Sequence, residues 1–269
     1  EKGYAALVLG NSADAITAFS RVIELNPQFT AAYSNRGTAY LNLGNFNQAI
    51  KDYDRAIEIN PQYADAYLDR GVLYYDLGNV NQAIKDFNIA IQLNPQNATA
   101  YSNRGIAYTS LGNFNQAIKD YDRAIKLNPQ FAIAYSNRGI AYTRFGNVNQ
   151  AIKDHDRAIE INPQHADGYF YRGNAYQVLG KTNQAIKDYD RAIEINPKFA
   201  TAYSNRGNVY DALGKTNQAI KDFDIAIQFD PQHADAYLGR GTAYFNLGNF
   251  NQAIKNYDRA IEINPKFAM

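Results

Sequence analysis

The sequence predicts an all-α solenoid built from tandem helix-turn-helix repeats. Two observations carry this prediction. All eight prolines of the 269-residue chain recur at one interval of 34 residues: Pro27, Pro61, Pro95, Pro129, Pro163, Pro197, Pro231 and Pro265. Two glycine series keep the same interval, one running from Gly37 to Gly241 and the other from Gly44 to Gly248. A fixed period of this length is typical of repeat proteins, in which each unit packs on its neighbours.

The period divides the chain into seven full repeats that follow most of an eighth. The partial first repeat covers residues 1–29, and residues 268–269 remain as a short tail. The full repeats span residues 30–63, 64–97, 98–131, 132–165, 166–199, 200–233 and 234–267. The chain starts at Glu1 without an initiator methionine or a signal-like segment, so we interpret it as a segment of a longer protein.

Each repeat is predicted to contain two antiparallel helices, called helix A and helix B from here on. In the first full repeat an apolar series of helical spacing predicts helix A, which ends at Gly44-Asn45. A second series predicts helix B, which ends at Asn60-Pro61 because proline cannot supply the next helical donor. The two series are Ala32, Tyr33, Gly37, Tyr40, Leu41 and Ala49, Ile50, Tyr53, Ala56, Ile57.

The composition restricts the classes of function. With 27 basic and 26 acidic residues the net charge is +1, so we expect no nucleic-acid partner and no membrane partner. There is no cysteine, and the three histidines are scattered, so we expect no metal site. No catalytic constellation and no cofactor motif stands apart from the repeat, so we expect no cofactor and a chain that is not an enzyme. No stretch is apolar enough for a membrane span, and we expect a soluble protein, cytoplasmic rather than secreted.

The residues shared by the repeats resemble a known family signature. The pattern Tyr33, Gly37, Tyr40, Ala49, Tyr53, Ala56, Pro61 is similar to that of the tetratricopeptide repeat, with tyrosine in place of the tryptophan often found first. The resemblance covers essentially the whole chain. It implies a right-handed superhelical solenoid whose A helices line a concave groove and whose B helices face outward. Because the functions of this family are diverse, the fold alone does not settle the function.

One departure from the family pattern is an arginine before the first glycine of every full repeat. These arginines are Arg36, Arg70, Arg104, Arg138, Arg172, Arg206 and Arg240. Helix B offers a carboxylate at Asp52 and at the equivalent position of each repeat except the last, which has Asn256. We interpret the two series as structural arginine–aspartate pairs. The alternative is that the arginines reach the groove and bind carboxylates or phosphates.

Six positions of helix A are predicted to face the groove, namely those of Ala31, Ser34, Asn35, Thr38, Leu41 and Asn42. The Asn35 position carries Asn35, Asp69, Asn103, Asn137, Tyr171, Asn205 and Gly239 in successive repeats. A carboxamide pairs with both the N–H and the C=O of an extended peptide. The series is similar to the asparagine ladder in the tetratricopeptide region of O-linked N-acetylglucosamine transferases. The alternative is that these are polar residues on a solvated helix face.

The predicted groove is acidic although the chain as a whole is nearly neutral. It contains Asp65, Asp69, Asp76, Asp167, Asp211 and Asp235, against the single cation Arg144. A protein or peptide partner with a basic or amide-rich segment is therefore favoured. Apolar residues of the same positions offer side-chain pockets or simply pack in the core: Leu68, Val72, Tyr75, Phe170, Leu238 and Phe245. The predicted peptide-binding residues are Asn35, Asp69, Asn103, Asn137, Asn205, Asp65, Tyr75 and Asp76.

We therefore predict a protein–protein interaction scaffold that binds an extended segment in its groove. Two alternatives stay open. One is a homo-oligomeric scaffold that stacks through its terminal repeats. The other is the substrate-recruiting repeat region of a larger enzyme, such as a glycosyltransferase. His155 replaces the core aromatic of Tyr53, and we expect it to have a packing role.

Overall fold

The structure, a computed structural model, describes residues 2–268. The chain folds into two compact units: unit 1 ends at Pro129, and unit 2 begins at Gln130. Within the described residues every regular element is helical, which confirms the predicted all-α repeat fold. Unit 1 contains α1 (Lys2–Val8), α2 (Ser12–Leu25), α3 (Thr30–Asn42), α4 (Phe46–Ile59), α5 (Ala64–Asp76), α6 (Val80–Leu93), α7 (Ala98–Ser110) and α8 (Phe114–Leu127).

Unit 2 repeats the same alternation. It contains α9 (Ala132–Phe145), α10 (Val148–Ile161), α11 (Ala166–Val178), α12 (Thr182–Ile195), α13 (Ala200–Ala212), α14 (Thr216–Phe229), α15 (Ala234–Asn246) and α16 (Phe250–Ile263), followed by a short 3-10 turn (Pro265–Ala268). The odd-numbered helices are the A helices, and the even-numbered helices are the B helices.

The glycine after each A helix makes the tight turn into helix B. Gly44 has φ +74°, a left-handed conformation that glycine adopts without steric cost. The N–H of Gly44 donates to the carbonyl of Leu41 at 2.9 Å, and that of Asn45 to the carbonyl of Tyr40 at 2.8 Å. These bonds satisfy the last carbonyls of helix A, so the turn needs no other partner.

The other glycine allows helix B to pack closely on helix A. A Cβ atom at Gly37 would lie 2.8 Å from Cε1 of Tyr53, which is too close for two carbon atoms. Tyr53, Ala49 and Ala56 are all fully buried. The small residues bring the two backbones together, and the Tyr53 ring fills the space between them.

Within each unit the A helices of successive repeats touch one another. In unit 1 α3 contacts α5 and α5 contacts α7, and in unit 2 the same holds from α9 to α15. Each B helix lies against the A helix of its own repeat, and α2, α4, α6, α10, α12 and α14 also lie against the next A helix of the same unit. The A helices of a unit therefore share one surface, which we call the A-helix face.

Candidate functional site

The predicted arginine–aspartate pairs are confirmed, and they belong to the scaffold. In repeat 64–97, Nε of Arg70 donates to Asp86 Oδ2 at 2.7 Å and Nη2 donates to Asp86 Oδ1 at 2.9 Å. Burial opposes the charge of Arg70, but the hydrogen bonds to Asp86 and Asp54 outweigh it and raise the pKa of the guanidinium. Equivalent two-point pairs join Arg36–Asp52, Arg104–Asp120, Arg138–Asp154, Arg172–Asp188 and Arg206–Asp222.

These arginines have a second partner that the sequence did not predict. Nη1 of Arg70 reaches back to Asp54 on helix B of the preceding repeat, and Arg206 reaches Asp190 in the same way at 2.6 Å. Tyrosine rings flank the guanidinium, as Tyr33 and Tyr40 do for Arg36, with 5.6 and 6.0 Å from the guanidinium carbon to the ring centroids. The arginines are thus occupied by structural contacts, and the alternative of a ligand-binding role in the groove is wrong.

One of the six predicted groove positions is buried in five of the seven full repeats. The serines of the Ser34 position are at most 3% exposed: Ser34, Ser102, Ser136 and Ser204. Phe170, at the same position in unit 2, is also in the core, where its ring lies 4.9 Å from that of Phe199. These buried side chains cannot contact a ligand in the groove, whereas Leu238, at the same position of the last repeat, is 37% exposed.

The asparagines predicted to bind a peptide backbone are half-buried on the A-helix faces. The carboxamides of Asn35, Asn103 and Asn137 form no hydrogen bond with any residue that the structure describes. Asn205 differs, because its Nδ2 donates to Oδ1 of Asn174 at 2.9 Å. Each unit therefore has two of these asparagines, separated by one repeat with a different residue: Asp69 in unit 1 and Tyr171 in unit 2.

The three aspartates predicted to attract basic peptides all lie on α5. Asp65 and Asp76 are exposed, whereas Asp69 is half-buried. Burial, followed by the nearby charge of Asp65, raises the pKa of Asp69 to about 7. A cation placed against Asp69 would stabilise its charged form, and no lysine or arginine of unit 1 occupies a groove position.

A pocket of about 180 Å³ opens on the A-helix face of unit 1, between α5 and α7. Val72, Phe87 and Ile106 give it apolar walls, and the Tyr75 ring adds an aromatic surface. Asp76 and Asn103 contribute the polar groups of its lining. The pocket thus brings together three of the predicted binding residues, Tyr75, Asp76 and Asn103, in one place.

The helix B aromatic of each repeat reaches through to the A-helix face. The Tyr53 hydroxyl shares a hydrogen bond with Thr38 Oγ1 at 3.2 Å, and the Tyr121 hydroxyl shares one with Thr109 Oγ1 at 3.2 Å. Phe87 has no hydroxyl at this position. The substitution of phenylalanine for tyrosine is visible in the sequence, but only the packing shows that it leaves an apolar floor beneath the pocket.

In unit 2 the equivalent aromatics form a different surface. The Tyr189 hydroxyl lies 2.7 Å from Asn174 Oδ1 and 2.9 Å from Gln177 Oε1, so this repeat has a polar floor. His155 is fully buried, as the sequence predicted, and its ring stacks on Tyr171 with 6.1 Å between the ring centroids. Burial lowers the pKa of His155 to about 3, with further contributions from Arg172 and His165.

Within residues 2–268 no group of acidic or histidine side chains is arranged to hold a metal ion. None of the helices in this part of the chain is long and apolar enough to cross a membrane.

The fold and the A-helix faces together define a helical-repeat scaffold. A tetratricopeptide repeat model matches residues 30–63, 98–131, 132–165, 166–199 and 234–267, which is more than half of the chain. Further models of the same repeat match residues 72–111 and 207–248, and residues 52–85 and 188–221. The chain belongs to the tetratricopeptide repeat family. No curated protein matches its sequence.

Solved structures of tetratricopeptide proteins are similar to this one. A tetratricopeptide repeat protein from Parabacteroides merdae is 23% identical with a TM-score of 0.72, and the match covers 90% of this chain and 96% of that one. The corresponding values for MamA are 29% and 0.53, with 61% and 96% covered. YrrB, described as a tetratricopeptide repeat protein with an unusual peptide-binding site, is 27% identical with a TM-score of 0.51, with 66% and 92% covered.

Proposed function

We propose that the A-helix faces of this protein bind extended segments of partner proteins. The observation that carries the proposal is the set of free carboxamides, Asn35, Asn103 and Asn137, at one repeat position and half-buried beside apolar side chains. A partly buried carboxamide without a partner gains most from a ligand that supplies both a donor and an acceptor. A peptide backbone supplies both. The peptide-binding site named for YrrB supports the same use of the fold.

Repeat spacing fits an extended backbone. Packed helices lie roughly 10 Å apart, and an extended peptide rises about 3.3 Å per residue, so each repeat meets about three peptide residues. Asn35 and Asn103 are two repeats apart in unit 1, so one strand of about six residues spans them. Backbone contacts of this kind are blind to side chains, and selectivity has to come from the residues between them.

The two units differ in those intervening residues. In unit 1 the residue between the asparagines is Asp69, on the same helix as Asp65 and Asp76, which favours a basic segment. In unit 2 the intervening residue is Tyr171, whose ring contacts Phe170 with 5.1 Å between centroids. An aromatic surface favours an apolar side chain instead. We therefore propose that unit 1 binds basic or amide-rich segments and that unit 2 tolerates apolar ones.

The test is a screen of an extended-peptide library against the intact chain and a variant with Asn35→Ala and Asn103→Ala. Each asparagine loses two hydrogen bonds worth at least about 0.5 kcal/mol each, so the double variant should bind unit 1 peptides at least about thirty-fold more weakly, whatever their sequence. The matched control is Asn47→Ala with Asn115→Ala, two exposed asparagines at an equivalent position of helix B. Undiminished binding by the groove variant, or an equal loss in the control, would remove the proposal.

A further inference from the structure

The pocket between α5 and α7 has an interior with no polar floor. In the neighbouring repeats the floor carries a tyrosine hydroxyl bonded to a threonine, Tyr53 with Thr38 and Tyr121 with Thr109. In this pocket neither residue of the Tyr53–Thr38 hydrogen bond is present. Phe87, which is fully buried and has no hydroxyl, takes the place of Tyr53, and Val72 takes the place of Thr38. The floor therefore offers no hydrogen bond, and it is suited to methylene groups.

The pocket lining contains one acidic residue, Asp76, and no cationic residue. The exposed carboxylate of Asp76 forms no ion pair with any residue that the structure describes. Tyr75 on α5 and Asn103 on α7 line the same pocket. A carboxylate beside an aromatic ring is a favourable environment for a cation that has left bulk water.

We propose that this pocket binds a lysine or arginine side chain of the peptide held on unit 1, with its methylene stem against Val72, Phe87 and Ile106 and its charged end at Asp76. The inference rests on the proposed peptide-binding function. Asn103 lines the pocket and is also one of the backbone-binding asparagines, so the peptide backbone passes the pocket where the side chain enters.

Other side chains satisfy only part of this lining. A leucine or methionine fills the apolar floor but leaves the Asp76 carboxylate beside a hydrophobic group. An aspartate or glutamate meets the carboxylate of Asp76 and is repelled. Lysine and arginine have an apolar stem, which fits the floor of Val72, Phe87 and Ile106, and a terminal cation, which fits the exposed carboxylate of Asp76.

The experiment uses the intact chain and three versions of one library-selected peptide that depends on Asn35 and Asn103. The versions carry lysine, norleucine or glutamate at the position under test. Norleucine keeps the apolar stem of lysine and lacks its ammonium group. We expect the lysine peptide to bind about five-fold more tightly than the norleucine peptide, the upper end for a solvent-exposed ion pair. The glutamate peptide should bind most weakly.

Two variants separate the charge from the apolar floor. Asp76→Asn should bring the lysine peptide to the affinity of the norleucine peptide, whereas Asp258→Asn, an exposed aspartate on α16, should keep the five-fold preference. Phe87→Tyr places a hydroxyl in the floor and should weaken the lysine and norleucine peptides alike. Its matched control is Phe223→Tyr, the same change at the equivalent position in unit 2. Neighbouring repeats already carry tyrosine there, so the fold accommodates it.

The outcomes distinguish this inference from the function on which it rests. Peptides that bind and depend on the asparagines, but show no preference for lysine over norleucine, would overturn the pocket assignment and leave the peptide groove intact. A lysine preference that persists in Asp76→Asn would overturn the assignment as well. A library from which no peptide binds the native chain would overturn both.

Discussion

Replacing His155 with phenylalanine should make its repeat more stable and remove an acid-sensitive step in unfolding. His155 is fully buried on α10, and neither ring nitrogen has a hydrogen-bond partner among the described residues. The same position carries Phe87 and Phe223 elsewhere in the chain, both fully buried as well. Phenylalanine therefore fits the scaffold and leaves no polar atom unsatisfied.

The magnitude follows from the pKa of His155, which burial lowers from 6.5 to about 3. A histidine that is neutral in the folded state and protonated in the unfolded state costs stability as the pH falls below its unfolded pKa. At about pH 5 the gap is roughly one and a half pKa units, or about 2 kcal/mol at 1.36 kcal/mol per unit. Above about pH 7 this loss is absent, and the gain of the variant comes from removing the unpartnered nitrogens, about 1–3 kcal/mol.

Hydrogen exchange over α10 (Val148–Ile161), measured at about pH 7.5 and about pH 5, gives the local free energy of opening. A local measurement is needed because repeat arrays do not unfold as one cooperative unit. After correction for the intrinsic exchange rate, protection should fall between the two pH values in the native chain and stay constant in His155→Phe. Phe223→His is the reciprocal variant and should create the same acid sensitivity in α14. An unchanged pH dependence in His155→Phe would show that His155 is not the origin of the acid sensitivity.

Three further predictions concern stability. The raised pKa of Asp69 means that its charged form destabilises the fold as the pH rises through about 7. Asp69→Asn should therefore stabilise α5 at about pH 8 by on the order of 2 kcal/mol and should not stabilise it at about pH 4; hydrogen exchange over α5 at both pH values tests this. The gain is less than the full shift because water reaches part of this carboxyl. Asp188→Asn removes the carboxylate from Arg172 and should lower the free energy of opening of α12 in hydrogen exchange by about 3 kcal/mol, and a loss below about 1 kcal/mol would show that the pair is not structural. Gly37→Ala places a Cβ atom against Tyr53 and should lower protection in α3 more than Gly44→Ala, which has open space around it and costs about 1 kcal/mol for its φ alone; the reverse order would contradict the packing.

The elements that the sequence predicted well are those set by local chemistry repeated along the chain. Gly44 and Asn60-Pro61 end the helices through backbone geometry, which does not depend on the neighbouring repeats. The Arg36–Asp52 pair was also predictable, because arginine and aspartate series in one register require each other when they are partly buried.

The features that were missed depend on how far each side chain sits from the surface. Helical spacing places Ser34 on the same face as Asn35, but only packing against helix B shows that Ser34 is buried. The pocket needs residues from two repeats and the lack of a hydroxyl on Phe87, so no single repeat predicts it. The second partner of Arg70, Asp54, belongs to the preceding repeat, and a search within one repeat does not find it.

Arginines that bond to two aspartates affect how whole repeats can be lost from or added to the chain. Arg70 bonds to Asp54, sixteen residues before it, and to Asp86, sixteen residues after it. Within a unit, deleting one whole repeat of 34 residues brings each remaining arginine beside partners at the same repeat positions as before. No buried arginine is therefore left without a partner. The same bonds that tie neighbouring repeats together thus allow the array to be shortened or extended by whole repeats without repair of its core.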